Sequence, residues 1–274
     1  MDLLDRARAT MQQHWGHPSF RPGQSEAIEA VLAGQDVVAI MPTGGGKSIC
    51  YQVPAVLLDG LTLVISPLIA LMHDQVAGLH ARGVAAAFID STLPHYEVDQ
   101  RWTNAEHGQY DLLYVAPERL ASDLFLARAE RLDVALLAVD EAHCVSQWGH
   151  HFRPSYLTIP SAREQLGDPP TIAVTATATP AVRRDVETHL KLRNPARVIR
   201  GFDRPNLIWS VFETENKRAK VRDVLRAVEG SGILYAATCR DVESWVQVLA
   251  DRDASVVGYH AAMGAEARSA AQAA

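Results

Sequence analysis

The run Met41-Pro42-Thr43-Gly44-Gly45-Gly46-Lys47-Ser48 has the residue types of a phosphate cradle. Thr43 and the glycines at 44, 45 and 46 let backbone amides crowd around phosphate oxygens, and a helix starting just beyond adds a favourable dipole. Lys47 would reach the β- and γ-phosphates of a nucleoside triphosphate, and the Ser48 hydroxyl would bind Mg²⁺. The bland alternative is a glycine-rich turn. A second cluster, Asp140-Glu141, ends the apolar run from 134 to 139. There Asp140 would orient the metal and Glu141 would position and activate a water. Such a pair could merely cap the next helix, but beside Lys47 it suits hydrolysis. His143 then reads as a coupling residue, although a lone histidine is more often structural.

Trp148, His150, His151, Phe152, Arg153 and Tyr156 follow within sixteen residues of Asp140. Aromatics interleaved with arginine suit base stacking plus phosphate contact, worth about 1–3 kcal/mol per stacked base. A hydrophobic plug beneath a loop is an equal reading. The adjacent histidines lack further metal ligands at suitable spacing. Thr175-Ala176-Thr177 could relay the nucleotide state, or serve structure alone.

The elements that must position these groups are α/β. Residues 36–41, 61–66, 84–90, 111–116, 134–140 and 171–175 read as buried strands. Stretches such as 47–58, 68–82 and 118–128 read as helices between them. Strands separated by helices predict a parallel sheet with helices on both faces, and ligands at the strands' carboxyl ends. Near residues 202–206 the pattern breaks. Beyond it, strands are expected at 207–212, 233–236 and 255–258. Helices are expected over the charged stretch from 213, from about 241, and in the alanine-rich tail from 261. This division gives a first domain over 1–203 and a partial second one over 204–274.

Composition sets limits. With 26 basic and 32 acidic residues the net charge is −6, so any nucleic-acid contact must come from a local patch. Cys50, Cys144 and Cys239 lack the spacing of a zinc module. No apolar run is long enough to span a bilayer. The expectation is a cytoplasmic protein without a zinc site or a membrane partner.

Together these motifs resemble the RecQ family of superfamily 2 DNA helicases. Residues 15–24, WGHPSFRPGQ, are similar to the family's adenine-reading motif. By that resemblance Gln24 reads the base, and His17 and Arg21 sandwich its ring. MPTGGGKSICYQVPA is similar to the family's phosphate loop, which accounts for Met41. SPLIALMHDQV from Ser66 and Pro67, and APERL containing Arg119, resemble strand-backbone-binding motifs. DEAHCVSQWGHHFRP is similar to the family's aromatic-rich loop, which assigns Trp148, Phe152 and Arg153 to DNA. FDRPN and YHAAM resemble an inter-lobe junction and a second-lobe motif.

The resemblance implies a RecA-like P-loop lobe, part of a second such lobe, and ATP with Mg²⁺ as cofactors. It also implies single-stranded and partly duplex DNA as partners, 3′-to-5′ unwinding in recombination and repair, and a bacterial, nucleoid-associated setting. An RNA-directed DEAH-type remodeller and a non-motor ATP- and DNA-binding fragment are the competing readings. His151 and Ser155 stand where the family usually carries acidic residues, and Ala262 replaces a usual glycine. None of Arg240, Arg252 or Arg268 sits in an arginine-finger motif, so this chain is expected to bind ATP and DNA with slow turnover and little unwinding.

Overall fold

The computed structural model describes residues 2–148, 151–201, 206–250 and 255–273. The chain divides into two units, Met1–Leu207 and Ile208–Ala274.

In the first unit, α1 (Leu3–Trp15) and α2 (Gln24–Leu32) precede β1 (Val37–Ile40). Then come α3 (Ile49–Leu57), β2 (Leu61–Ile65), α4 (Ile69–His80), β3 (Ala86–Ile89), α5 (His95–Glu106) and β4 (Leu112–Val115). A 3-10 turn (Pro117–Ala121) leads to the short α6 (Asp123–Leu126), then β5 (Val134–Val139). Two more 3-10 turns, Ala142–Val145 and Pro154–Thr158, precede α7 (Ile159–Gln165). The unit closes with β6 (Thr171–Thr175), α8 (Pro180–His189) and β7 (Ala196–Ile199). All seven strands are parallel, in the order β3-β4-β2-β5-β6-β1-β7.

This is the α/β sheet expected from the sequence, and its side-chain alternation explains the continuous apolar runs. Val38, Ile40, Leu63, Ile65, Leu137 and Val139 pack on one face, while Val37, Ala39, Val64, Leu136 and Ala138 pack on the other. A strand covered by helices on both faces has no polar side to show. At the amino ends of the strands, the buried Asp36 carboxylate is held by Arg163 at 2.9 Å and by the amides of Thr171 and Arg193. That knot ties β1, β6 and the approach to β7 together.

Register carries the site. Ile89, Val115, Ile65 and Val139 stand opposite one another along β3, β4, β2 and β5. The next residues, Asp90, Ala116, Ser66 and Asp140, therefore follow one another along a single edge at about 4.8 Å per strand.

Two expectations fail. The helix predicted over 118–128 is broken at Ser122, whose side chain accepts from the Phe125 amide and starts α6 afresh. In the second unit, α9 (Lys217–Ala227), α10 (Cys239–Ala250) and α11 (Ala265–Ala273) form, but no strand forms over 207–212, 233–236 or 255–258 among the described residues. Ile208, Trp209, Val211, Ile233 and Tyr235 are exposed. Within that unit their backbone groups find no paired neighbour and their side chains no covering layer, and a strand needs both. The expected junction at 202–206 falls largely outside the described residues.

Candidate functional site

The phosphate loop leaves β1 and turns back before α3. The Gly45 amide donates to Pro42 O at 2.9 Å, and the amides of Ile49 and Cys50 bond to the carbonyls of Gly46 and Lys47. Gly46 has φ +75°, and a Cβ there would meet Gln24 Nε2 at 2.4 Å. The positive φ favours glycine, and any Cβ would push the Gln24 amide out of the loop. Gln24 is buried and turned into the loop: Nε2 donates to Gly46 O at 3.0 Å and Gly45 O at 3.3 Å, while Oε1 accepts from the Arg21 amide at 2.8 Å. The Arg21 guanidinium donates to Gly44 O. The segment expected to read a base thus grips the phosphate loop through its carbonyls, with His17 exposed nearby in sequence. Behind the loop, Gln52 of α3 donates to Gln75 of α4 at 2.7 Å and lies 2.9 Å from the Tyr114 hydroxyl of β4.

Asp140 stands at the tip of β5, only 8% exposed. Burial, then the neighbouring Glu141 charge, pushes its carboxyl up to about 6, against the Glu141 amide, Lys47 and His143. Glu141 has φ +47°, a left-handed conformation uncommon for its residue type. Its carboxyl is held below the usual range, first by the His143 hydrogen bond and also by Lys47, despite burial. His143 is pushed up to about 9 by the Cys144 sulfur beside Nε2 and by Glu141. Its Nδ1 lies 2.8 Å from Thr175 Oγ1 and 3.2 Å from the Glu141 carboxylate. In the protonated ring that N–H donates to the pair.

Thr175 ends β6, between β5 and β1, and its carbonyl accepts from the Met41 amide at the root of the phosphate loop. One residue therefore touches the loop and the acidic segment. The triplet Thr175-Ala176-Thr177 left a relay role and a purely structural one open; the register of β6 sets Thr175 between the loop and the acidic segment.

The aromatic segment splits between the two readings open in sequence. Trp148 is 80% exposed, Phe152 is half-buried, and Tyr156 is wholly buried, its hydroxyl donating to Asp140 O at 2.8 Å. Tyr156 is the plug and Trp148 the free ring. The Arg153 amide donates to Cys144 O, and its guanidinium donates to Pro67 O at 2.9 Å. Arg153 thus joins the acidic segment to the start of α4. Gly149 and His150 lie outside the described residues. No group able to hold a metal through three or more His, Cys, Asp or Glu occurs among those that are described.

Farther along the edge, Ser66 is buried, its amide donates to Val115 O, and its hydroxyl has no partner among the described residues. Arg119 donates to Asp90 O at 2.6 Å, which turns part of its guanidinium toward β3. The structure thus brings Lys47, Asp140, Glu141 and His143 together at one end of the edge. Pro67, Arg119 and Arg153 gather toward the other.

The DEAD/DEAH box helicase model matches residues 21–186. The ATP-dependent DNA helicase RecQ of Bacillus subtilis is 43% identical over 269 residues, which is 97% of this chain and 46% of that protein. The protein of the same name from Haemophilus influenzae is 42% identical over 94% of this chain and 42% of its own length. This chain therefore spans less than half the length of these relatives. Among solved structures, Mycobacterium smegmatis helicase Lhr bound to ssDNA and AMP-PNP aligns with a TM-score of 0.69 at 20% identity, over all of this chain and 40% of that one. DUF1998 helicase MrfA gives 0.69 at 19%, over 93% and 42%. At those identities the likeness is one of fold.

Proposed function

We infer from the family to which this chain belongs, the DEAD/DEAH box helicases, that its first unit is a RecA-like lobe coupling ATP hydrolysis to the holding of a DNA strand. The observation that carries this reading is the shared edge. Four strands in register set Asp140 beside the phosphate loop's neighbourhood and continue through Ser66 and Ala116 to Asp90. One segment, from Asp140 to Arg153, reaches both ends: His143 lies against Thr175, and Arg153 donates to Pro67 O.

In this reading the loop amides and Lys47 bind the triphosphate, while His17, Arg21 and Gln24 meet the adenine. Gln24 must then exchange its bonds to the loop carbonyls for bonds to the base. Ser48 and Asp140 supply the hard oxygen donors that Mg²⁺ takes, and the ion would neutralise phosphate charge. Glu141, kept ionised by His143 and Lys47, orients and deprotonates the attacking water. Trp148 and Phe152 stack on bases. Arg153 and Arg119 position the backbone contacts made by the turns at Ser66-Pro67 and after β4. RecQ relatives are named as DNA helicases, which favours DNA over RNA.

Residues 1–203 form the ATP-binding lobe and 204–274 part of a second one, a division supported by the separation of units at Leu207. The 3′-to-5′ unwinding motor is the activity proposed for the whole protein. No helix among the described residues is long and apolar enough to cross a membrane.

Steady-state ATP turnover with and without single-stranded DNA tests the reading. Stimulated turnover should disappear in Glu141→Gln while ATP binding persists. Equal turnover in that variant would refute the assignment, and stimulation by RNA alone would favour the RNA-directed remodeller.

A further inference from the structure

The far end of the edge holds a pair that the account above leaves unused. Asp90 follows β3 and is completely buried. Its Oδ1 accepts from the Thr92 amide at 2.7 Å and hydroxyl at 2.6 Å, and Oδ2 lies 2.7 Å from His73 Nε2. Burial acts to raise this carboxyl, but the Thr92 bonds and His73 together hold it below the usual range. His73 sits one turn into α4, directly after the Ser66-Pro67 turn, and its side chain is 41% exposed.

The ring is fixed on two sides. Asp90 anchors Nε2, and Phe88 stacks beneath it with centroids 4.0 Å apart. The Arg101 guanidinium lies 4.4 Å from the same Phe88 centroid. Nδ1 makes no hydrogen bond to the described residues, and the ring's exposure leaves it to solvent. An imidazole held this way has already lost most of the freedom that binding would remove.

We propose that His73 is a further phosphate-binding residue on the strand-holding edge, oriented through Nε2 by Asp90 and offering Nδ1 to a backbone phosphate of the bound strand. The proposal rests on the reading that this edge holds a nucleic-acid strand. Neighbouring charged groups are Asp90 from β3, Arg101 with its partner Glu97 from α5, Arg119 from the turn after β4, and Asp74 on α4. A tie that merely fastened α4 to β3 would affect melting temperature but not the electrostatics of binding.

The test is the salt dependence of binding a fluorescent thymidine oligonucleotide, measured on the full chain at one fixed pH. One phosphate contact to a single strand contributes about 0.7 to the slope of log affinity against log salt. His73→Gln should flatten the slope by about that amount. His73→Lys should keep the steeper slope. Identical slopes for the parent and both variants overturn the assignment. If Trp148→Ala weakens binding in the same series, that failure belongs to His73 alone. Absence of any binding by the parent overturns the strand-holding reading and this assignment with it.

Discussion

The two ends of the sheet edge use charge differently. Around β5 and β1, a carboxylate is buried beside a lysine and a glycine loop, and Gln24, Glu141, His143 and Thr175 each have fixed partners. Around β3 and β4, half-exposed side chains, His73, Arg119 and Arg153, lean on backbone carbonyls or a buried aspartate. The first arrangement suits a small, highly charged ligand whose position must be exact. The second suits a polymer that must be held and released, since partly exposed contacts are weaker and screened by salt. The lesson is that one rigid sheet can serve both tasks because register, not proximity in sequence, aligns its ends.

The largest effect expected is at the nucleotide end. Glu141→Gln should lower stimulated turnover by about 10²–10⁴, the usual worth of a positioned general base, while leaving strand affinity intact; a quenched-flow assay beside anisotropy would show both. A parallel loss of strand affinity would blur the distinction between the ends.

Next is the opposite, amino edge, which should matter to the fold alone. Arg163→Met strands the buried Asp36 carboxylate and should cost about 3–5 kcal/mol by denaturant titration. Without that cost, the knot beneath the strands is not what fixes their register.

At the strand end, Trp148→Ala should weaken single-stranded DNA binding by about 1–3 kcal/mol. Since Trp148 is exposed, its melting temperature should be unchanged.

The smallest effect separates the ends by pH. The Asp140 value of about 6 lies above the ordinary 3.8, so its contribution to stability is present below about 3.8 and is lost as pH rises through about 6. Mg²⁺ needs the ionised form. Apparent Mg²⁺ affinity should fall about tenfold per unit below about pH 6, whereas stacking by Trp148 should not follow that curve. Calorimetry across this range decides it.

Much of the first unit was legible in sequence because strands covered on both faces are written as apolar runs. β1 to β6 were legible for that reason. β7 was not: Ala196–Ile199 is an edge strand with arginine at 197 and only Val198 buried, too short and mixed to stand out. The second unit shows the converse. Its apolar segments read as strands, yet pattern specifies a strand only when a partner is present to pair with it. At the site, the types and motif context of Lys47, Asp140 and Glu141 pointed to nucleotide chemistry, and the fold sets these three charges near one another. The contacts of Thr175 with His143, Tyr156 with Asp140 and Arg153 with Pro67 span 32, 16 and 86 residues. No local pattern encodes such distances.

The central claim is that Thr175 and its neighbours couple the two ends. It is tested most directly by measuring single-stranded DNA affinity with and without a non-hydrolysable ATP analogue, in the parent and in Thr175→Val. Coupling of this kind typically amounts to a 5- to 150-fold change in affinity. The parent should show a shift in that range, and Thr175→Val should bring the ratio close to one while each ligand still binds alone. An undiminished ratio in Thr175→Val would contradict the account.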